Sequence, residues 1–148
     1  MPKELVSNRK ARFEYELLEN FEAGISLKGT EIKSLREHGG NLQEAYALVE
    51  EGEIWLHQMH IAAYRFGNLF NHKERRRRKL LLHRKEIDQI RAKIITKGYA
   101  LIPLAIVLVK GLAKVRIALA IGKKSFDKRQ AIRKRDDQRN ISAALKSS

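Results

Sequence analysis

Between Phe13 and Leu27 the chain alternates. Phe13, Tyr15, Leu17, Phe21, Ala23, Ile25 and Leu27 share one parity, while Arg12, Glu14, Glu16, Glu22 and Lys28 hold the other. Period two is the signature of a half-buried β-strand, and the polar pair Glu19-Asn20 predicts a bend within it. The stretch "GTEIKSLREHGG" reads as a short helix with Thr30 as N-cap, Ile32 and Leu35 inward, and Gly39-Gly40 as its stop. "YALVEEGEIWLHQMHI" reads as a hairpin turning at Glu51-Gly52, with Tyr46 and Leu48 on the same inward face as Ile54 and Leu56. Residues 62 to 79 carry charge and turn signals without an apolar period, which predicts a long loop. "RKEIDQIRAKIITKG" is an amphipathic helix with Ile87, Ile90 and Ile94 on one stripe and Gly98 at its end. The apolar run from Tyr99 becomes a strand, in which Pro103 marks an edge or a bulge. Lys110-Gly111 turns the chain, and Val115, Ile117, Leu119 and Ile121 then point inward, leaving Lys114 and Arg116 outside.

The sum is a mainly β body, a small antiparallel barrel or sandwich with flanking α-helices, over residues 1–121. Residues 122–148 differ. In "GKKSFDKRQAIRKRDDQRN" helix formers abound, yet no stripe forms: at about 100° per residue Ile132 lies roughly 240° round from Phe126. A helix with no face to bury gets no tertiary support. The tail is therefore expected to be disordered when free.

Composition adds a partner class. Among 148 residues 43% are hydrophobic, enough for one core. Lys and Arg number 31 against 17 Asp and Glu, a net charge of +14, which calls for a polyanion: nucleic acid or an anionic membrane. The uninterrupted apolar run Tyr99 to Val109 is 11 residues, short of the ~20 that a spanning helix needs, so no membrane partner is expected. The chain has no cysteine, which excludes a disulfide scaffold or thiolate zinc site and fits a reducing compartment. "MPKELVSNRKARFEYELL" has no long apolar segment, and a cytoplasmic monomer is expected.

Catalysis finds little support. His57 and His60 are close in sequence, but a spacing of three on a strand places them on opposite faces. No phosphate-cradling glycine loop, GxSxG or HExxH is present. Neither an enzyme nor a metal or other cofactor is expected. The basic run "HKERRRRKLLLH" carries more. Lys73, Arg75, Arg76, Arg77, Arg78 and Lys79 lead straight into three leucines, so the run is tethered to the core and available to several phosphates. No helix-turn-helix, zinc finger or basic zipper is present to enter a duplex groove, which favours RNA. Trp55 and Tyr64 are candidates for stacking on bases; parity allows Trp55 to face out, but as an aromatic it is expected in the core.

Six segments stand in order along the chain: "NRKARFEYELLENFEAGISLKGTEIKSLREHGGNLQEAY", "MHIAAY", "GNLFNH", "RKLLLH", "KGYALIPL" and "GKKSFDKR…KRD". Together they resemble the SsrA-binding (small protein B) family, the partners of transfer-messenger RNA in bacterial trans-translation. That resemblance implies a β-barrel of oligonucleotide-binding type, which binds the tRNA-like domain of transfer-messenger RNA and brings it to stalled ribosomes, so that they are rescued and their nascent peptides tagged. It implies body contacts to RNA by Glu22, Arg76, Arg78, Lys79, Leu81, His83 and Lys114. It also implies a tail that becomes helical in the small-subunit decoding centre and messenger channel. Gly122, Lys123, Lys124, Phe126, Asp127, Lys128 and Arg129 match the decoding segment, followed by Arg133, Lys134 and Arg135. Phe126 stands where members usually carry His or Tyr, Lys73-Glu74 replaces a typical Asp-Pro, and the position of His83 varies between Asn and His. Two other readings of the same residues are a ribosomal protein bound to rRNA and an RNA-processing enzyme.

Overall fold

Closure of a sheet on itself organises this chain. The computed structural model describes residues 3–67, 71–124 and 130–133. In chain order its elements are β1 (Lys3–Ser7), α1 (Arg9–Glu14), β2 (Tyr15–Ile25), α2 (Gly29–His38), β3 (Tyr46–Glu50), β4 (Glu53–His57), β5 (Arg78–Leu81), α3 (Arg84–Lys97), β6 (Ala100–Val109) and β7 (Leu112–Gly122). Every pairing is antiparallel, in the order β1-β6-β3-β4-β5-β2-β7, and β7 also pairs with β6. Six strands thus close a ring, which removes exposed sheet edges, and β1 lies along β6 beside the single Ala47↔Leu101 link to β3. The expected mainly β barrel with flanking helices is present.

Two register shifts let one sheet bury both of its faces. On β2 the shift lies between Leu17 and Glu19, next to the expected bend. Tyr15 and Leu17 pack with Ala11 of α1, Ile102, Leu104, Ala118 and Ala120, outside the barrel. Beyond the bulge Phe21, Ala23 and Ile25 face the interior with Ile54, Leu56, Leu80 and Ile117. The second shift, between Pro103 and Ala105, does the same for β6. One extra residue swaps the two faces of a strand. The alternation in the sequence is real, but it serves two cores.

Other expectations need correction. The strand does not begin at Phe13, which lies on α1 and is 78% exposed. The buried Asn8 decides this: its Oδ1 accepts from the Ala11 N–H at 3.4 Å, and its Nδ2 donates to the Pro103 carbonyl at 2.9 Å and the Leu42 carbonyl at 3.2 Å. That cap outweighs local alternation. Thr30 is not the cap of α2; it sits inside the helix and bonds His72 Nδ1 at 2.9 Å, while the Lys28 N–H donates to Glu31 at 2.8 Å.

The hairpin turns where expected, with positive φ at both Glu51 and Gly52. A two-residue turn sets Leu48 opposite Trp55 and Tyr46 opposite His57. Tyr46 and Leu48 are consequently on the outer face, and Ala47, Ile54 and Leu56 fill the core. α3 is as expected: Ile87 and Ile90 are buried, Ile94 partly so, and Gly98 closes the helix in the left-handed region at φ 68°. The expected loop ends early, because Arg78 and Lys79 already belong to β5.

In the tail, Gly122 still pairs with Tyr15 as the end of β7. Lys123 and Lys124 are helical, as are residues 130–133, the last four exposed. Helix formers take helical dihedrals here, and the last four bury no face. Phe126, Asp127, Lys128, Arg129, Lys134 and Arg135 lie outside the described residues. Among those described, no helix is long and apolar enough to cross a membrane.

Candidate nucleic-acid interface

Strand register brings the body residues together. Leu81 of β5 stands opposite Gly24 of β2, and Gly24 stands opposite Lys114 of β7. Leu81, Gly24 and Lys114 therefore form one row across three strands. Two residues along β2, Glu22 pairs with Arg116 on the same outer face. Leu81 leans over Gly24: a Cβ at position 24 would lie 3.2 Å from the Leu81 Cβ. The missing side chain leaves a flat shelf between an exposed leucine and a cation. Lys79 shares the face, since Arg78 and Leu80 of the same strand point inward. His83 is exposed at the N-cap of α3, its N–H donating to Glu86 at 3.3 Å. Beside Glu22 opens a cleft of about 450 Å³ lined by Arg12, Asn20, Phe21, Glu22, Leu104 and Arg116. Arg12 and Arg116 give Glu22 two cationic neighbours that face the same solvent. Arg116 was legible as an outward residue of its strand; Arg12 shared the parity of Glu22 but reaches the cleft from α1.

The basic run divides. Arg78 is a correction: its side chain is fully buried, and phosphate has no access to it. Its Nε bonds the equally buried Glu31, its Nη1 donates to the Met59 carbonyl at 2.6 Å and its Nη2 to the Glu74 carbonyl at 3.2 Å. Arg76 approaches the other Glu31 oxygen at 2.5 Å and keeps part of its side chain in solvent. Burial pushes the Glu31 carboxyl up. Hydrogen bonds from Arg76, the Lys28 N–H and Arg78 outweigh that and hold it below the ordinary glutamate value. Burial also lowers the Arg78 guanidinium, against the opposing pull of Glu31. One carboxylate thus ties α2 to β5 and to the segment entering it.

The remaining arginines spread over the surface. Arg75 pairs with Glu44 at 3.1 Å, and Arg77 pairs with Glu50 at 2.7 Å while lying 4.0 Å from the centre of the Trp55 ring. Trp55 is on the outer face, not in the core. Tyr64 is half-buried, with Phe66 edge-on at 5.5 Å. His57 bonds Glu50 and His60 bonds Glu74, and among the described residues no His/Cys/Asp/Glu group suited to a metal is present.

A family model described as SmpB protein matches residues 5–147. The chain belongs to the SmpB family. The SsrA-binding protein of Chlamydia muridarum is 56% identical over 146 residues, spanning 99% of this chain and 97% of the relative. That of Protochlamydia amoebophila is 57% identical over 143 residues, spanning 97% and 94%. A Synechococcus relative of the same name is 52% identical over 145 residues, spanning 97% and 94%. A solved structure described as "tmRNA-SmpB: a journey to the center of the bacterial ribosome" superposes with a TM-score of 0.66 at 46% identity, covering 80% of this chain and 83% of the other.

Proposed function

We infer that this chain is a non-enzymatic RNA-binding protein that binds the tRNA-like domain of transfer-messenger RNA and delivers it to stalled ribosomes in the cytoplasm. The observation that carries this reading is membership in the SmpB family over nearly the whole chain, with the solved neighbour that is described on the ribosome. The roles of residues are our assignment. Lys79, Lys114 and Arg116 neutralise phosphates, and the Leu81–Gly24 shelf accepts an apolar base or sugar face. Glu22 accepts hydrogen bonds from a base, its carboxylate kept tolerable near a polyanion by Arg116 across the strand. His83 adds a polar contact at the rim. Arg76 contributes from its exposed edge, whereas Arg78 acts only by holding Glu31 and the loop. The body, residues 1–121, recognises the RNA, and residues 122–148 engage the decoding centre and messenger channel.

Two measurements test this. RNA that co-purifies with the tagged full chain should be one abundant species with a tRNA-like end; whole rRNA would favour a ribosomal protein, and no selective RNA would overturn the reading. A chain ending at Gly122 should keep most of its affinity for the isolated tRNA-like domain. Abolished binding would refute the division between body and tail.

A further inference from the structure

Outside the Leu81–Gly24–Lys114 row, the outer face of the β3–β4 hairpin carries an aromatic stack and a cation over an indole, joined by one carboxylate. Tyr46 and His57 stack with ring centres 5.3 Å apart and planes 6° from parallel. The Arg77 guanidinium lies over Trp55. Glu50 links the two: one oxygen bonds His57 Nε2 at 2.7 Å, the other Arg77 Nη1 at 2.7 Å. Arg77 is thereby held at two points, its guanidinium carbon 4.0 Å from the indole centre and one nitrogen on a carboxylate, with its side chain 52% exposed. The pairs Tyr46↔His57 and Leu48↔Trp55 are two residues apart along the strands, about 7 Å, and both present to the same side.

We propose that this face is a second RNA contact, a shelf on which an unpaired nucleobase stacks against the open side of the Arg77 guanidinium. The proposal rests on the RNA-binding reading above and extends it. Unpaired bases stack on arginine planes as well as on aromatic rings, and an arginine already pinned on an indole loses little freedom when a base lands on it. Continuity with the first row selects RNA as the occupant. Trp55 is in register with Lys79, and Lys79 shares a strand face with Leu81, so a strand of RNA leaving the first row crosses the hairpin next. The half-buried Trp55 keeps one cation over its ring, and Lys79, beside it, is partly exposed with only a loose pairing to Glu53 at 3.9 Å.

Trp55 is the chain's one tryptophan, so its emission follows this side of the barrel, and the lysine variants assign the signal. The full chain is titrated with short oligouridylate and, separately, with the tRNA-like domain. Both titrations are run at fixed salt, following Trp55 emission and the anisotropy of labelled RNA. Wild type should show a saturable change in Trp55 emission with oligouridylate. Arg77→Lys keeps the charge and loses the plane, and should weaken oligouridylate binding roughly five- to tenfold with an unchanged melting temperature. Arg75→Lys, which lies off the stack, should change it less than about twofold. Equal affinity for wild type and Arg77→Lys, or equal losses in both lysine variants, overturns the shelf. So does a Trp55 signal that depends on protein concentration without RNA, which would mark a second copy as the occupant. Failure of wild type to bind the tRNA-like domain would strike the functional reading instead, and the oligouridylate arm would still decide the shelf.

Discussion

Glu31→Gln should destabilise the fold far more than a change of one exposed charge. The carboxylate and Arg78 are both fully buried, and Arg76 completes the cluster. Glutamine is nearly isosteric and its side-chain oxygen still accepts from the Lys28 N–H, so the helix cap survives while the charge is lost. Two guanidinium groups then share a site with no counter-ion. Removing one partner of a buried pair typically costs about 3–5 kcal/mol, a large part of the 5–15 kcal/mol that holds an average domain together. At about 4 °C per kcal/mol for a chain of this size, the melting midpoint should fall by roughly 12–20 °C. Urea unfolding followed by Trp55 emission measures the loss directly. The acid limb supplies a second readout. Because the folded state holds the Glu31 carboxyl below its unfolded value, its contribution is present above the unfolded pKa and is lost as pH falls through the folded one. Wild type should therefore lose stability in the acid range more steeply than Glu31→Gln. A Glu31→Gln loss under about 1 kcal/mol, or parallel acid limbs, would refute the claim that this carboxylate clamps the loop.

Lys114→Ala should flatten the dependence of RNA affinity on salt by up to about one phosphate's worth, because Lys114 faces solvent on the outer row. Arg78→Lys should weaken binding only through lost stability and leave that slope intact; a changed slope would place Arg78 in contact with RNA. Phe126→Ala should leave affinity for the tRNA-like domain intact and reduce peptide tagging on stalled ribosomes, while Phe126→Tyr, which keeps the ring, should be mild. Equal tagging by wild type and Phe126→Ala would remove stacking from the tail's role.

What the sequence disclosed and what it concealed divide by the reach of the interaction. α3 was legible because its stripe and its closing Gly98 lie within one window. The turn at Glu51-Gly52 and the irregularities near Leu18 and Pro103 are likewise local. Hairpin facing was misread because apolar content alone assigned Tyr46 and Leu48 inward, whereas a two-residue turn leaves that choice to register. Asn8 hid its cap for a different reason: its partners Leu42 and Pro103 lie 34 and 95 residues away. The Glu31–Arg78 pair spans 47 residues, and no periodicity reaches so far. Yet half of that pair was written in four residues. If Leu81 of "RKLL" faces RNA, strand parity sends Leu80 inward, Lys79 outward and Arg78 inward. A fully buried arginine demands a carboxylate, and Glu31, at the start of an inward-packed helix, is the one it meets. A run of like charges conceals this because residue type suggests a single role for all its members. Where the chain enters β5, neighbouring arginines part: Arg77, just before the strand, lies on the outer surface over Trp55, while Arg78, its first residue, holds the interior together.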